Sequence, residues 1–140
     1  MRALALDIGD KTIGVAASDL LGLTAQGVET VRRTSNKNDL KRLGELLAQY
    51  EAKTFVIGLP KNMDGTEGER CELVRKFATK LSAAFPEVNQ VFWDERLSTV
   101  AAAKNLIAAD VSRKKRKKVI DKMAAVYILQ GWLDNRRGDF

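Results

Sequence analysis

The chain has 140 residues, 45% of them apolar and 30% charged, with one cysteine, no histidine and a formal net charge of +6 at neutral pH. This is the balance of a single globular domain spanning residues 1–140, and a chain of this length buries roughly 70% of the surface its unfolded form exposes, so one core needs no disulfides. The absence of imidazole excludes Ser-His-Asp and Cys-His catalysis and any histidine metal site, and the lone Cys71 excludes a disulfide framework or a paired-cysteine zinc knuckle.

A lone thiol fits a reducing, cytoplasmic setting. The longest uncharged stretch, Met123 to Leu133, has eleven residues, and Asp7 follows the first few apolar positions, so neither a membrane span nor a signal peptide is expected. An enzyme built this way must rely on other groups, of which carboxylates holding hard cations such as Mg2+ or Mn2+ are the foremost.

In chain order, Arg2 to Ile8 and Thr12 to Ser18 are short apolar or β-branched runs around Gly9-Asp10-Lys11, which predicts an opening β-hairpin. Thr24 to Val31 reads as a third strand weakened by Gly22 and Gly27. Leu40, Leu43, Leu47 and Tyr50 repeat at helical spacing behind Asn38, which is read as the N-cap. Thr54 to Leu59 is a continuous apolar run stopped by Pro60, the pattern of a strand covered on both faces.

After a polar loop from Lys61 to Gly65, Thr66 and Glu69 have capping-box spacing ahead of a stripe formed by Cys71, Val74, Ala78 and Leu81, and Pro86 closes that helix. Val91 to Trp93 is a short strand running into Asp94 and Glu95. Ser98 begins a helix expected to reach about Ala109, and a basic run leads into a final helix ending near Asp134. Strands alternating with helices after an antiparallel start predict an α/β fold with a central mixed sheet and helices on both faces.

Ligand sites in open α/β sheets gather where strands end, which selects Asp7 and Glu95 among the acids. Asp7 shares a strand face with the small residues Ala3 and Ala5, and Glu95 continues the face of Val91 and Trp93. Asp121 lies on an apolar helical stripe with Ala124, Ala125 and Ile128, where a charge is costly unless it is paired or metal-bound; the bland reading pairs it with Lys117 or Lys122. Three carboxylates holding two divalent ions about 4 Å apart would suit phosphodiester hydrolysis, leaving roughly one positive charge for one scissile phosphate.

Arg113, Lys114, Lys115, Arg116, Lys117 and Lys118 form an unbroken basic run, and without these six the remaining basic and acidic residues are equal in number. Such a run binds phosphates by counterion release without sequence preference, so nucleic acid, RNA or DNA, is the expected partner. Like charges in sequence repel, which predicts a mobile loop or a frayed helix start. Only two residues separate the run from Asp121.

Several motifs resemble the YqgF family, also called RuvX, of pre-16S rRNA nucleases related to Holliday junction resolvases. They are Leu6-Asp7-Ile8-Gly9 with Ile13-Gly14-Val15-Ala16 and Ser18-Asp19, Gly58-Leu59-Pro60 with Asn62-Met63-Asp64-Gly65, Asp94-Glu95-Arg96-Leu97-Ser98-Thr99, and Ile120-Asp121 with Ala124-Ala125. The resemblance runs nearly end to end. It implies an RNase H-like fold, a metal-dependent nuclease with Asp7, Glu95 and Asp121 as both metal ligands and catalytic acids, and substrate contacts from Arg96 and from the loop beginning at Asn62. It further implies processing of pre-16S rRNA, with a Holliday junction resolvase or a single-strand nuclease as alternatives. A resolvase would require a symmetric homodimer, whereas an RNA-processing nuclease would not.

The first turn departs from the family pattern, since Asp10, Lys11 and Thr12 stand where a small hydroxyl residue, a lysine and an arginine are usual. Asp10 either joins a metal or caps the turn.

Two other readings compete. Asp7-Ile8-Gly9 with Ile13-Gly14-Val15 also resembles the phosphate hairpin of actin-like ATPases, but those close two such domains around the nucleotide, and Asp10 would put negative charge in the phosphate turn. A nucleic-acid-binding protein without catalysis would use only the basic run, and a divalent ion would then do little for its stability.

Overall fold

The structure is a computed structural model describing residues 2–97 and 113–137, with side chains for 2–97 and 123–136. Strand β1 (Arg2–Ile8) turns through Gly9-Asp10-Lys11 into β2 (Thr12–Ser18), and the turn is closed by the Gly9 N–H donating to the Thr12 carbonyl at 2.9 Å. β3 (Ala25–Arg32) completes an antiparallel meander. Its register on β2 shifts between Val15 and Ala16, which face Glu29 and Gly27, so the glycine that weakens this strand in sequence marks a bulge.

Helix α1 (Asn36–Tyr50) starts three residues earlier than an Asn38 cap would place it. Ser35 holds extended backbone, and its hydroxyl accepts from the Asn38 N–H at 3.1 Å, so Asn38 is inside the first turn. β4 (Ala52–Leu59) follows, then α2 (Glu69–Ala84). The expected capping box at Thr66 and Glu69 does not form, because the Thr66 hydroxyl donates to Asp64 Oδ1 at 2.6 Å and the helix begins at Gly68 without a side-chain cap.

β5 (Asn89–Asp94) ends in a single 3-10 turn (Glu95–Leu97), and α3 (Arg113–Arg137) closes the described chain. The helix expected from Ser98 to Ala109 lies outside the described residues. The basic run is not a loop before the last helix; its backbone forms the first turns of α3. Lysine and arginine are strong helix formers, and like-charge repulsion between turns costs only a few tenths of a kcal/mol per pair.

The five strands are ordered β3-β2-β1-β4-β5, with β1 paired antiparallel to β2 and parallel to β4, and β4 parallel to β5. The two-residue period of the strands sorts side chains by size. Leu4, Leu6, Ile13, Val15, Phe55 and Ile57 point to one face and pack with Leu43, Leu46 and Leu47 of α1 and Val74, Phe77 and Leu81 of α2. The other face carries Ala3, Ala5, Ala16, Val56 and Trp93, and α3 lies on it through Ala124, Ala125, Ile128, Leu129 and Leu133. Helices thus cover both faces, and β4 is apolar from Phe55 to Leu59, where both of its sides are buried.

The α3 face is shallow enough that Gly58 of β4 touches the helix. A β-carbon at position 58 would lie 2.5 Å from Cδ1 and 3.2 Å from Cγ1 of the fully buried Ile128. We expect Gly58→Ala to lower unfolding free energy by about 1–3 kcal/mol, as overpacking of a filled core does, and Ile128→Val in the same chain to restore part of it. Urea midpoints check this, and an unchanged midpoint in Gly58→Ala would show that α3 is not seated where described.

Candidate functional site

Asp7 lies opposite Gly14 of β2, half-buried near the end of β1, and the strand period puts its side chain on the α3 face after Ala3 and Ala5. The parallel register pairs Leu6 with Ile57, so Gly58 is the next β4 residue, and Gly58 itself pairs with Trp93 of β5. Glu95 follows β5 directly and is only 8% exposed; its carboxyl carbon would lie 3.4 Å from a β-carbon on Gly58. Two acids from the ends of β1 and β5 therefore converge on β4, the strand between them, at the one place where it carries no side chain.

α3 runs along this face in a definite direction. Ile128 sits at Gly58 near the end of β4, whereas Trp132 and Arg136 line a depression with Thr54, Asn89 and Gln90 at the beginnings of β4 and β5. The helix thus enters from the strand-end side, and the backbone of Asp121 stands two turns, about 10 Å, before Ile128 on that side. The side chains of Asp121 and of Arg113 to Lys118 lie outside the described residues. Among the described residues, no three carboxylates or thiols cluster as a metal centre.

Arg96 and Asn62 have structural employment. Arg96 donates from Nε to both Asp94 oxygens at 3.1 Å, from Nη2 to Asp94 Oδ2 at 2.7 Å, and from Nη1 to the Met63 carbonyl at 3.3 Å. The loop it clamps is a tight turn. Gly65 N–H donates to the Asn62 carbonyl, Asn62 Nδ2 donates to the Thr66 hydroxyl, and Gly65 takes the left-handed φ of 89°. Met63 is left 92% exposed at its tip. The guanidinium beside Asp94 holds that carboxyl below its ordinary range, and the Thr66 hydroxyl, with its N–H, does the same for Asp64.

Gly58 is the site residue that reading acids alone overlooks. Its signal is a glycine interrupting a buried apolar strand, which marks a close approach by another group.

A family model described as "RuvX: Holliday junction resolvase" matches residues 1–135. The chain belongs to the RuvX family. A relative from Myxococcus xanthus (strain DK1622), carrying the name "Putative pre-16S rRNA nuclease", is 58% identical over 137 residues, covering 98% of this chain and 90% of the relative. A relative of the same name from Geobacillus kaustophilus (strain HTA426) is 58% identical over 139 residues, covering 98% of this chain and all of the relative.

Among solved structures, RuvC of T. thermophilus in complex with a Holliday junction substrate superposes with a TM-score of 0.63 at 14% identity, covering 99% and 96% of the two chains. The fowlpox virus Holliday junction resolvase gives 0.53 at 15% identity, covering all of both. At such identities the likeness is one of architecture, and the RuvX chain has the RNase H-like fold. Membership in RuvX also disposes of the actin-like reading.

The clamp has a defined acid limit. Because the folded pKa of Asp94 is depressed, its contribution is complete above the ordinary aspartate value of about 3.9 and is lost only as pH falls through the lower folded value. We expect Arg96→Ala to speed amide exchange in residues 62–66 at pH 6 while leaving β4 protected. Equal exchange in both proteins at that pH would show that the clamp does not hold the loop.

Proposed function

We propose that this RuvX chain is a divalent-metal-dependent nuclease that hydrolyses phosphodiester bonds of pre-16S rRNA in the cytoplasm, with Asp7, Glu95 and Asp121 holding the metal and water as nucleophile. The observation that carries the reading is the convergence of Asp7 and the buried Glu95 over Gly58. Nuclease chemistry accords with RuvX membership and with relatives more than half identical across nearly the whole chain, whose name specifies the RNA.

The donor set fits a hard cation. The candidate ligands are all oxygens, and no imidazole or second thiol exists to favour a softer metal. Asp7, Glu95 and Asp121 would hold the ion, which would supply water activation and charge neutralisation at the scissile phosphate. The chain's own residues do the rest. Asp7 and Glu95 would hold the cation at the strand ends, and Ile128 over Gly58 closes the floor beneath them. The basic first turns of α3, entering from the same side, grip the phosphate backbone.

The name of the family model favours a second substrate, a four-way DNA junction. A panel of structured RNA, single-stranded RNA and DNA, and a four-way junction ranks the two, and a symmetric homodimer is needed only for the junction.

Asp7→Asn should lower cleavage at least 100-fold while leaving RNA affinity intact, and it should remove the rise in melting temperature that Mg2+ or Mn2+ gives the intact chain. Full activity in that variant sinks the metal trio. Replacing Arg113 to Lys118 with glutamine should weaken RNA binding and flatten its dependence on salt, by about 0.7 in log–log slope for every phosphate no longer neutralised. An unaltered slope would remove the run from the substrate path.

A further inference from the structure

On the sheet face opposite α3, a cleft of about 410 Å³ opens between the β1–β2 turn, the start of α1 and the side of α2. Its floor is fixed by Arg33, which donates from Nε to Asp39 at 3.0 Å, from Nη1 to the Gly9 carbonyl at 2.9 Å and from Nη2 to Asn36 at 3.2 Å, with its guanidinium 4.9 Å from the centre of the Phe77 ring. Asp39 is 2% exposed and neutralises it.

The wall is different. Arg70, Lys76 and Lys80 all line the cleft from α2, spaced six and four residues apart on one helix face with the half-exposed Leu73 between them. Among the described residues, none of these three pairs with a carboxylate. Three other cations do: Arg75 is bonded to Glu67, Arg42 to Glu29 and Arg96 to Asp94. With Asp10 as the one unneutralised acid among the described residues of the rim, the cleft keeps a net positive charge.

We infer that this cleft is a second phosphate-binding site, taking a segment of the nucleic-acid strand that flanks the scissile bond. The inference rests on the nuclease reading for the identity of its ligand. Three features fit a strand better than a small anion. From Arg70 to Lys80 the helix rises about 15 Å, long enough to meet successive phosphates of a strand rather than a single anion. Leu73 offers apolar contact to sugars or bases between the cations. The cleft also begins at Ile8, Gly9 and Asp10, so its rim is at most about 11 Å of chain from Asp7. A strand leaving the acids around the β1–β2 turn would enter it directly, while the basic turns of α3 hold the other side.

The test compares RNA binding by two triply substituted proteins in an Asp7→Asn background, across a salt series. One carries Arg70→Gln, Lys76→Gln and Lys80→Gln; the other loses equal charge at exposed positions away from the cleft, through Lys41→Gln, Lys53→Gln and Arg136→Gln. On a long single-stranded RNA, the cleft variant should bind about tenfold more weakly near physiological salt, with a log–log slope reduced by about two, and the control should stay within about twofold. With Asp7 intact, the cleft variant should cleave a short oligonucleotide at the unsubstituted rate. Equal slopes and affinities for the two triple variants overturn the inference. If the intact chain cleaves RNA but the slopes are equal, the cleft alone fails; if it cleaves nothing while the slopes differ as expected, the cleft stands and the nuclease reading falls.

Discussion

Everything at the strand ends depends on how closely α3 approaches the sheet. The approach is set by small residues on one face of β1, β2 and β4, where Ala3, Ala5, Ala16 and Gly58 meet the helix. Removing bulk there forfeits hydrophobic stabilisation, since each missing buried methylene is worth about 0.8 kcal/mol. The opposite face compensates with leucines, isoleucines, valines and phenylalanines packed beneath two helices. Bulk is thereby concentrated on one side of a single sheet, and the alternation of adjacent residues along each strand is what keeps the two faces different.

Charge is partitioned in a similar way. Glu29, Asp39, Glu67 and Asp94 are each engaged by an arginine, and three of those pairs are partly exposed, where they set geometry more than stability. The Arg96 clamp is of this kind. It joins the end of β5 to a loop more than thirty residues earlier in the chain, which makes the loop and the segment bearing Glu95 a connected unit. Setting aside the six-residue run, basic and acidic residues balance in number but not in place, and Arg70, Lys76 and Lys80 lie together without an ion-pair partner among the described residues.

Much of this is legible in the sequence. The limits of β1 and β2 follow from β-branched and apolar runs around one turn, and the helical stripes of α1 and α2 from their spacing. Local competition hides the helix starts. Ser35 and Asn38 are both competent caps, and only backbone conformation decides between them, while Thr66 has capping-box spacing but spends its hydroxyl on Asp64. Asp7 and Glu95 stand out by their strand ends, although Glu95 lies in a 3-10 turn just past its strand. What sequence does not reveal is anything needing distant segments. The partner of Arg96 at Met63, the seat of Ile128 on Gly58, and the alignment of Arg70, Lys76 and Lys80 against Arg33 arise only when the elements are packed.

Arg33 has one further consequence. All three of its nitrogens are already engaged by the first turn, by α1 and by Asp39, and Phe77 of α2 lies against its plane, so the floor of the cleft cannot rearrange without disturbing three elements at once. The hollow is therefore preorganised. An anion settling there immobilises a few long side chains at its wall and nothing of the backbone, so little of the attraction between phosphate and cation is lost to conformational entropy.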